Sequence, residues 1–416
     1  MKKSRTCLIF ALLVLVAARA FAQTVIDSTL EVTASQTMTG DYVIASGGSL
    51  AIGDPLDWAS VTLTVAGNLT LQNAGAISEI QNRYNTLAVD GVFTIDGGAV
   101  GTETDNRLHI ENRGFVDIKS GAMNLRTLNF FAGNGQMSGG EITLSSQFGI
   151  YAGTHTTFPM TGGRITTEGA ILSAYAGTDL SQSSRLYMTL SGNSVIRIAQ
   201  GSSDPFCLGN GILFPEGQYP SLAKGKSTFL RIADNAFIDA NLAVIDYNAE
   251  LTIELSQASM DEAKLSTQML GFGIDSSAVG EHSVIIDGSQ LTAPTDLPVQ
   301  HVLFEIDKAG MLVVVMRDVD RFNADGTKIE SDDMVSASAD RADIIAFLET
   351  YNLISFANFD EEAWGELSIA KNIDVMDNMN NDGSILIVFQ AAPIPEPSAA
   401  AALLALLALA AVARRR

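Results

Sequence analysis

The sequence predicts a mainly-β protein: a single-stranded, right-handed parallel β-helix (β-solenoid), followed by a small α+β cap and a C-terminal hydrophobic helix. Three observations predict it. From Gln23 to about Arg317, short stretches alternate apolar and polar residues, as in Val61, Leu63 and Val65 or Leu251, Ile253 and Leu255, the period of half-buried strands. A glycine-led pentapeptide recurs through the same region. Long apolar runs occur only at the two ends of the 416-residue chain.

The pentapeptide reads glycine, any residue, apolar, small or polar, then usually apolar. Its copies are Gly48-Ser49-Leu50-Ala51-Ile52, Gly67-Asn68-Leu69-Thr70-Leu71, Gly91-Val92-Phe93-Thr94-Ile95, Gly114-Phe115-Val116-Asp117-Ile118 and Gly140-Glu141-Ile142-Thr143-Leu144, with a weaker copy from Gly163 to Thr167. A repeat of this length is a solenoid signal. Glycine supplies the turn, the two apolar positions face one core, and the residue between them faces out. One unit cannot bury its apolar face alone, but stacked coils can. Leu69, Phe93, Val116 and Ile142 are therefore expected in one interior file. The outward positions include Thr70, Thr94, Thr143 and Thr166, which the strand preference of threonine explains. The body resembles autotransporter passengers and pectin-lyase-like proteins in architecture. A β-sandwich, or a tandem of small ones, is the competing fold, because it too spaces strands by turns.

Two stretches interrupt the repeat. Residues 201–226 contain Pro205, Pro215 and Pro220 and read as an excursion holding Cys207. Residues 292–298, with Pro294 and Pro298, read as a turn or boundary. From Asp318 the pattern changes. Ile344, Phe347, Leu348 and Tyr351 fall on one face of a helix over 339–351, with Ser338 or Asp340 as its cap. Asp360 to Trp364 suggests a short helix, and Ile373 to Phe389 a hairpin turning at Asn381-Asp382-Gly383. This segment either caps the β-helix or forms a separate small domain.

Composition excludes one class directly. The formal charge of -22 rules out a basic nucleic-acid surface. With 47% apolar residues, the chain can offset the entropy of ordering and is not disordered.

The N-terminus has Lys2, Lys3 and Arg5, an apolar run from Leu8 to Ala18, and the small residues Ala20 and Ala22 around Phe21. This is the layout of a cleaved secretory signal, with the mature chain starting at Gln23. Its removal takes Cys7 and leaves Cys207 alone, so no intramolecular disulfide is expected. The C-terminus carries Pro395-Glu396-Pro397, an Ala/Leu/Val run from Ala399 to Ala413, and Arg414-Arg415-Arg416. These residues resemble the PEP-CTERM sorting signal of bacteria with an outer membrane. The resemblance implies processing by the membrane protease exosortase, transient inner-membrane anchoring through the C-terminal helix, and a place at the cell surface or outside the cell, associated with extracellular polysaccharide. The expected division is 1–22 signal peptide, 23–317 solenoid, 318–390 cap or small domain, and 391–416 sorting segment.

Candidate chemistry is sparse. His109, His155, His282 and His301 are not at metal-ligand spacing and read as surface histidines. No nucleophile elbow, phosphate loop or dinucleotide fingerprint occurs. The acidic stretches around Asp318, Asp320, Asn323 and Asp325, and from Asn378 to Gly383, approach a calcium loop but miss its ligand order. The reading is a non-enzymatic exported scaffold or adhesive surface without catalytic residues, metal or cofactor. The competing reading is a secreted carbohydrate-active enzyme, since an acid pair is defined by separation in space.

Overall fold

A computed structural model describes residues 23–56, 59–80, 85–101, 108–131, 134–151, 155–174, 185–199, 202–209, 226–256, 263–275, 282–291, 299–317, 329–379 and 383–391. The chain winds as a coil of three parallel sheets, each turn adding one strand to each sheet. In sheet 1 the register runs Ile26–Ile44–Leu71–Ile95–Ile118–Met137–Met160–Leu190–Ile232–Ile253–Ile286, one residue per coil, which makes eleven coils. Sheet 2 runs in step from Leu30 through Leu50, Ile77, Val100, Met123 and Ile142 to Phe304. Sheet 3 starts at Gln36 and passes Leu63, Leu87, Ile110, Leu128 and Phe148 on its way to Leu312. Below the first coil, almost all these side chains are buried. Period-two alternation is what places them there, because every second residue of each strand points inward.

The expected interior file holds for three of its four residues. Leu69, Phe93 and Val116 stack in sheet 1, but Ile142 pairs with Met123 in sheet 2. The pentapeptide marks two different corners. Gly67, Gly91 and Gly114 lead into sheet 1, whereas Gly48, Gly140 and Gly163 lead into sheet 2. Both corners need a residue without a side chain, so they share a local sequence. After Val116 the sheet 1 file passes to Gly135 and then to Phe158. A Cβ on Gly135 would lie 2.7 Å from the Phe158 ring, so the glycine makes room for a phenyl group packed against Phe130 at 5.1 Å.

At the corner before sheet 1, glycines stack directly. A Cβ on Gly67 would sit 2.2 Å from the Gly40 carbonyl oxygen, and one on Gly114 would sit 2.1 Å from that of Gly91. Side chains step up the same corner: Asp41 Oδ1 accepts from Asn68 N at 2.9 Å, and Asn68 Oδ1 accepts from Val92 N at 2.7 Å. Backbone groups at the turn thus find partners that the ladder does not supply.

Beyond the eleventh coil, each sheet is extended by C-terminal strands. Ile354–Ala357 continues sheet 1 in parallel. Ser384–Ala391 joins sheet 2 and Ile329–Ser336 joins sheet 3, both antiparallel. Three helices accompany them: α1 (Arg341–Thr350), α2 (Glu361–Trp364) and α3 (Ile369–Asn372). Helix α1 buries Ile344, Phe347 and Leu348, while half-buried Tyr351 donates its hydroxyl to Asp333 Oδ2 at 2.6 Å. Asp340 takes the N-cap position of α1 without a side-chain bond. Ser338 does not cap it either; its hydroxyl pairs with that of Ser336 at 2.8 Å. In α2 a side-chain cap does form, Asp360 Oδ1 accepting from Glu362 N at 3.0 Å. Ile373–Asp377 completes the hairpin with Ser384–Ala391.

Two further expectations are corrected. Cys207 is not in an excursion: it lies in the strand Phe206–Leu208 of sheet 3, fully buried. The C-terminal hydrophobic helix is withdrawn from the fold, together with transient inner-membrane anchoring. Among the described residues no helix is long and apolar enough to cross a membrane, and the segment expected to form one lies outside them.

Candidate functional site

The outer faces of the sheets carry the polar groups, in files set by the coil register. On sheet 2 the outward file includes Thr143, Thr166, Arg197, Asp239, Ser266 and Glu305. Arg197 Nε donates to Asp239 Oδ2 at 2.9 Å, tying adjacent coils. Where this file meets the C-terminal strands, Asp239, Glu305 and Asp307 line a cavity of about 170 Å³. Three carboxylates thus meet at one cavity, and the sequence did not single them out. Their partners show what they do. Glu305 Oε1 accepts from Asn378 Nδ2 at 2.9 Å and from Ser384 Oγ at 2.8 Å, fastening the hairpin to the coil. Asp307 Oδ1 accepts from Ala309 N at 2.8 Å within a turn.

A second hollow of about 410 Å³ lies between α1, α3 and the strand Ile354–Ala357. Here His282 Nδ1 lies 3.2 Å from the Asn352 carbonyl oxygen, and Glu349 Oε1 accepts from Ala370 N at 3.1 Å. On sheet 1, Tyr187 stacks on Phe229 of the next coil at 5.0 Å and 9°, and Arg231 pairs with Glu254. Such cross-strand pairs each stabilise a sheet by about 0.2–1 kcal/mol.

The histidines do not behave alike. His155 is exposed at the start of His155–Met160. His109 faces outward but is half-buried, 4.0 Å from Glu111; burial lowers its pKa and Glu111 opposes the shift. His301 overturns the surface expectation, being 1% exposed. A register shift between Val302 and Phe304, where Val299–Arg317 meets Ser384–Ala391, interrupts the alternation beside it, and His301 lies opposite buried Phe389. The unbroken apolar run Val302-Leu303-Phe304 was the signal available in the sequence. Neither ring nitrogen makes a hydrogen bond of normal geometry. Burial, reinforced by the Lys264 ammonium, pushes the pKa of His301 down to about 4, and the backbone of Ser256 offsets this only in part.

A stability prediction follows from that residue. A histidine held neutral in the fold takes up its proton more readily when unfolded. Its contribution is therefore complete above about pH 6.5, the unfolded value, and is lost as pH falls toward about 4. The full loss is about 3 kcal/mol. Urea midpoints should drop between about pH 7 and about pH 4.5, and His301→Leu should flatten that drop. An acid limb unchanged by His301→Leu would assign it to the carboxylates instead.

The expected signal-cleavage residues Ala20 and Ala22 and the sorting residues Pro395, Glu396, Pro397, Arg414, Arg415 and Arg416 lie outside the described residues. So does the acidic stretch from Asp318 to Asp325. Among the described residues, no group of three or more His, Cys, Asp or Glu side chains is placed to hold a metal ion.

The geometry defines a class: a mainly-β solenoid of repetitive parallel sheets with a small C-terminal α+β region. The chain matches no family model, no curated protein and no solved structure. Neither exosortase nor extracellular polysaccharide gains support as a partner from these comparisons. The expected location loses its inner-membrane element, for the reason given with the fold.

Proposed function

We propose that the chain is an exported, non-enzymatic scaffold whose solenoid serves as a rigid spacer or adhesive surface. The observation that carries this reading is the use made of its charged groups. Of the carboxylates lining the two hollows described, Asp239 ties coil to coil through Arg197, Glu305 ties coil to cap through Asn378 and Ser384, Asp307 accepts from the nearby Ala309 N, and Glu349 joins α1 to α3. Eleven coils at roughly 4.8 Å each make a rod about 50 Å long, with a continuous apolar core to stiffen it. The N-terminal leader and the Pro395-Glu396-Pro397 tail supply export and sorting in this reading.

Two measurements test it. Intact mass of the protein recovered from outside the cell should lack residues 1–22 and the Ala/Leu tail; a chain still ending at Arg416 would overturn the sorting reading. Incubation with neutral and acidic polysaccharides should release no new reducing ends and no unsaturated uronate. Product that disappears with Asp239→Asn or Glu305→Gln, in a protein still folded, would make the sheet 2 cavity an active site and replace the scaffold reading by an enzymatic one.

A further inference from the structure

We propose that the N-terminal end of the solenoid is a self-association surface on which a second copy of this chain docks head to head. The first coil consists of Thr24–Ile26, Thr29–Val32 and Gln36–Thr39. Each pairs with the second coil along one edge, and among the described residues no strand pairs with the other edge. Leu30 faces inward, in register with buried Leu50, yet is 36% exposed; Val25 is 57% exposed. Open edges are templates for another chain, and proteins usually block them with lysine, proline or a bulge. Residues 24–40 contain no lysine, arginine or proline, and their only charges are Asp27 and Glu31.

The opposite end decides which partner fits. There, sheets 2 and 3 finish in reversed strands, and α1 packs against Ile329–Ser336 and Ile373–Asp377. Residues 329–391 carry thirteen acidic residues against Arg341 and Lys371. A copy stacking head to tail would meet a helix and a dense negative field. A copy arriving head to head meets the less charged end and three open edges. That contact is isologous, so it closes as a two-fold dimer and does not propagate into a filament. Opposed heads present their strands antiparallel. The C-terminal end shows that this cross-section accepts antiparallel strands, with Leu312 opposite Val335 and Phe304 opposite Ile387.

The exported protein, purified as it is secreted, should scatter light with twice the mass of a single chain. Val25→Lys combined with Thr37→Lys, both exposed positions of the first coil, should halve that mass and leave the melting midpoint of the coil body unchanged. A spin label at Ser28→Cys should report a short distance between copies, and one at Ser338→Cys, beyond the far end, should report none. Buried Cys207 stays unlabelled. A monomer at every concentration, a dimer indifferent to both lysines, or a short distance at Ser338→Cys would each overturn the proposal.

Discussion

Deleting residues 329–391 is expected to abolish the cooperative melt of the solenoid and turn it to aggregation. The segment closes all three sheets at once, through Ile354–Ala357, Ser384–Ala391 and Ile329–Ser336. Without it the long strand Val299–Arg317 becomes an open edge in two sheets, and the core around Phe304, Leu312 and Val314 faces water. Helix α1 contributes Ile344, Phe347 and Leu348 to the same core, each worth about 1.5–3 kcal/mol when fully buried. Thermal unfolding followed by circular dichroism and light scattering would show the change. A milder variant separates closure from chain length. Phe347→Ala keeps every strand and removes one packed ring, so it should cost about 3–5 kcal/mol and lower the midpoint without aggregation at rest. If the truncated body stays soluble with the midpoint of the full chain, the coils are self-sufficient and the closing role assigned to these strands is wrong.

A comparable loss is expected from one methyl group at the glycine corner. In Gly114→Ala the new Cβ would lie 2.1 Å from the Gly91 carbonyl oxygen and 2.5 Å from that of Asp90. Both atoms are backbone of the preceding coil, held by the ladder between Phe93 and Val116, so neither can rotate away. Overpacking a filled core usually costs 1–3 kcal/mol, and a clash with fixed backbone belongs at about 3 kcal/mol or above it. Gly40→Ala is the control. It has φ of +106° but no atom within 4 Å of the added Cβ, so it carries only backbone strain, about 1–2 kcal/mol. Guanidinium midpoints of the two variants should differ clearly, with Gly114→Ala the weaker protein. Equal midpoints would mean that backbone conformation, and not the close approach of successive coils, is why glycine sits at this corner.

Much of the architecture was legible in the residues. Alternation in Val61–Val65 and Leu251–Leu255 identified strands, and the recurring glycine pentapeptide identified coils. The spacing of Ile344, Phe347, Leu348 and Tyr351 identified α1; the first three are buried and Tyr351 is half-buried. The phase of the repeat was not legible. Gly114 and Gly140 introduce similar pentapeptides, yet one strand enters sheet 1 and the other sheet 2. A tight corner asks for glycine wherever it occurs, so local sequence cannot say which corner it is.

The sites divide along the same line. Asp239 lies far in sequence from Glu305 and Asp307, and they meet at one cavity because successive coils stack in register. His301 looked like a surface residue because its setting depends on a strand from outside the repeat, Ser384–Ala391, which pairs antiparallel beside it. By itself the sequence determined which residues of the regular coils face inward, because a strand's two-residue period separates two faces and the apolar residues mark the buried one; where a register shift breaks the period, at His301, it did not. Only the tertiary structure decided which residues become neighbours, because contacts between coils and closure at the C-terminal end are set by register, and register is settled when the whole stack packs.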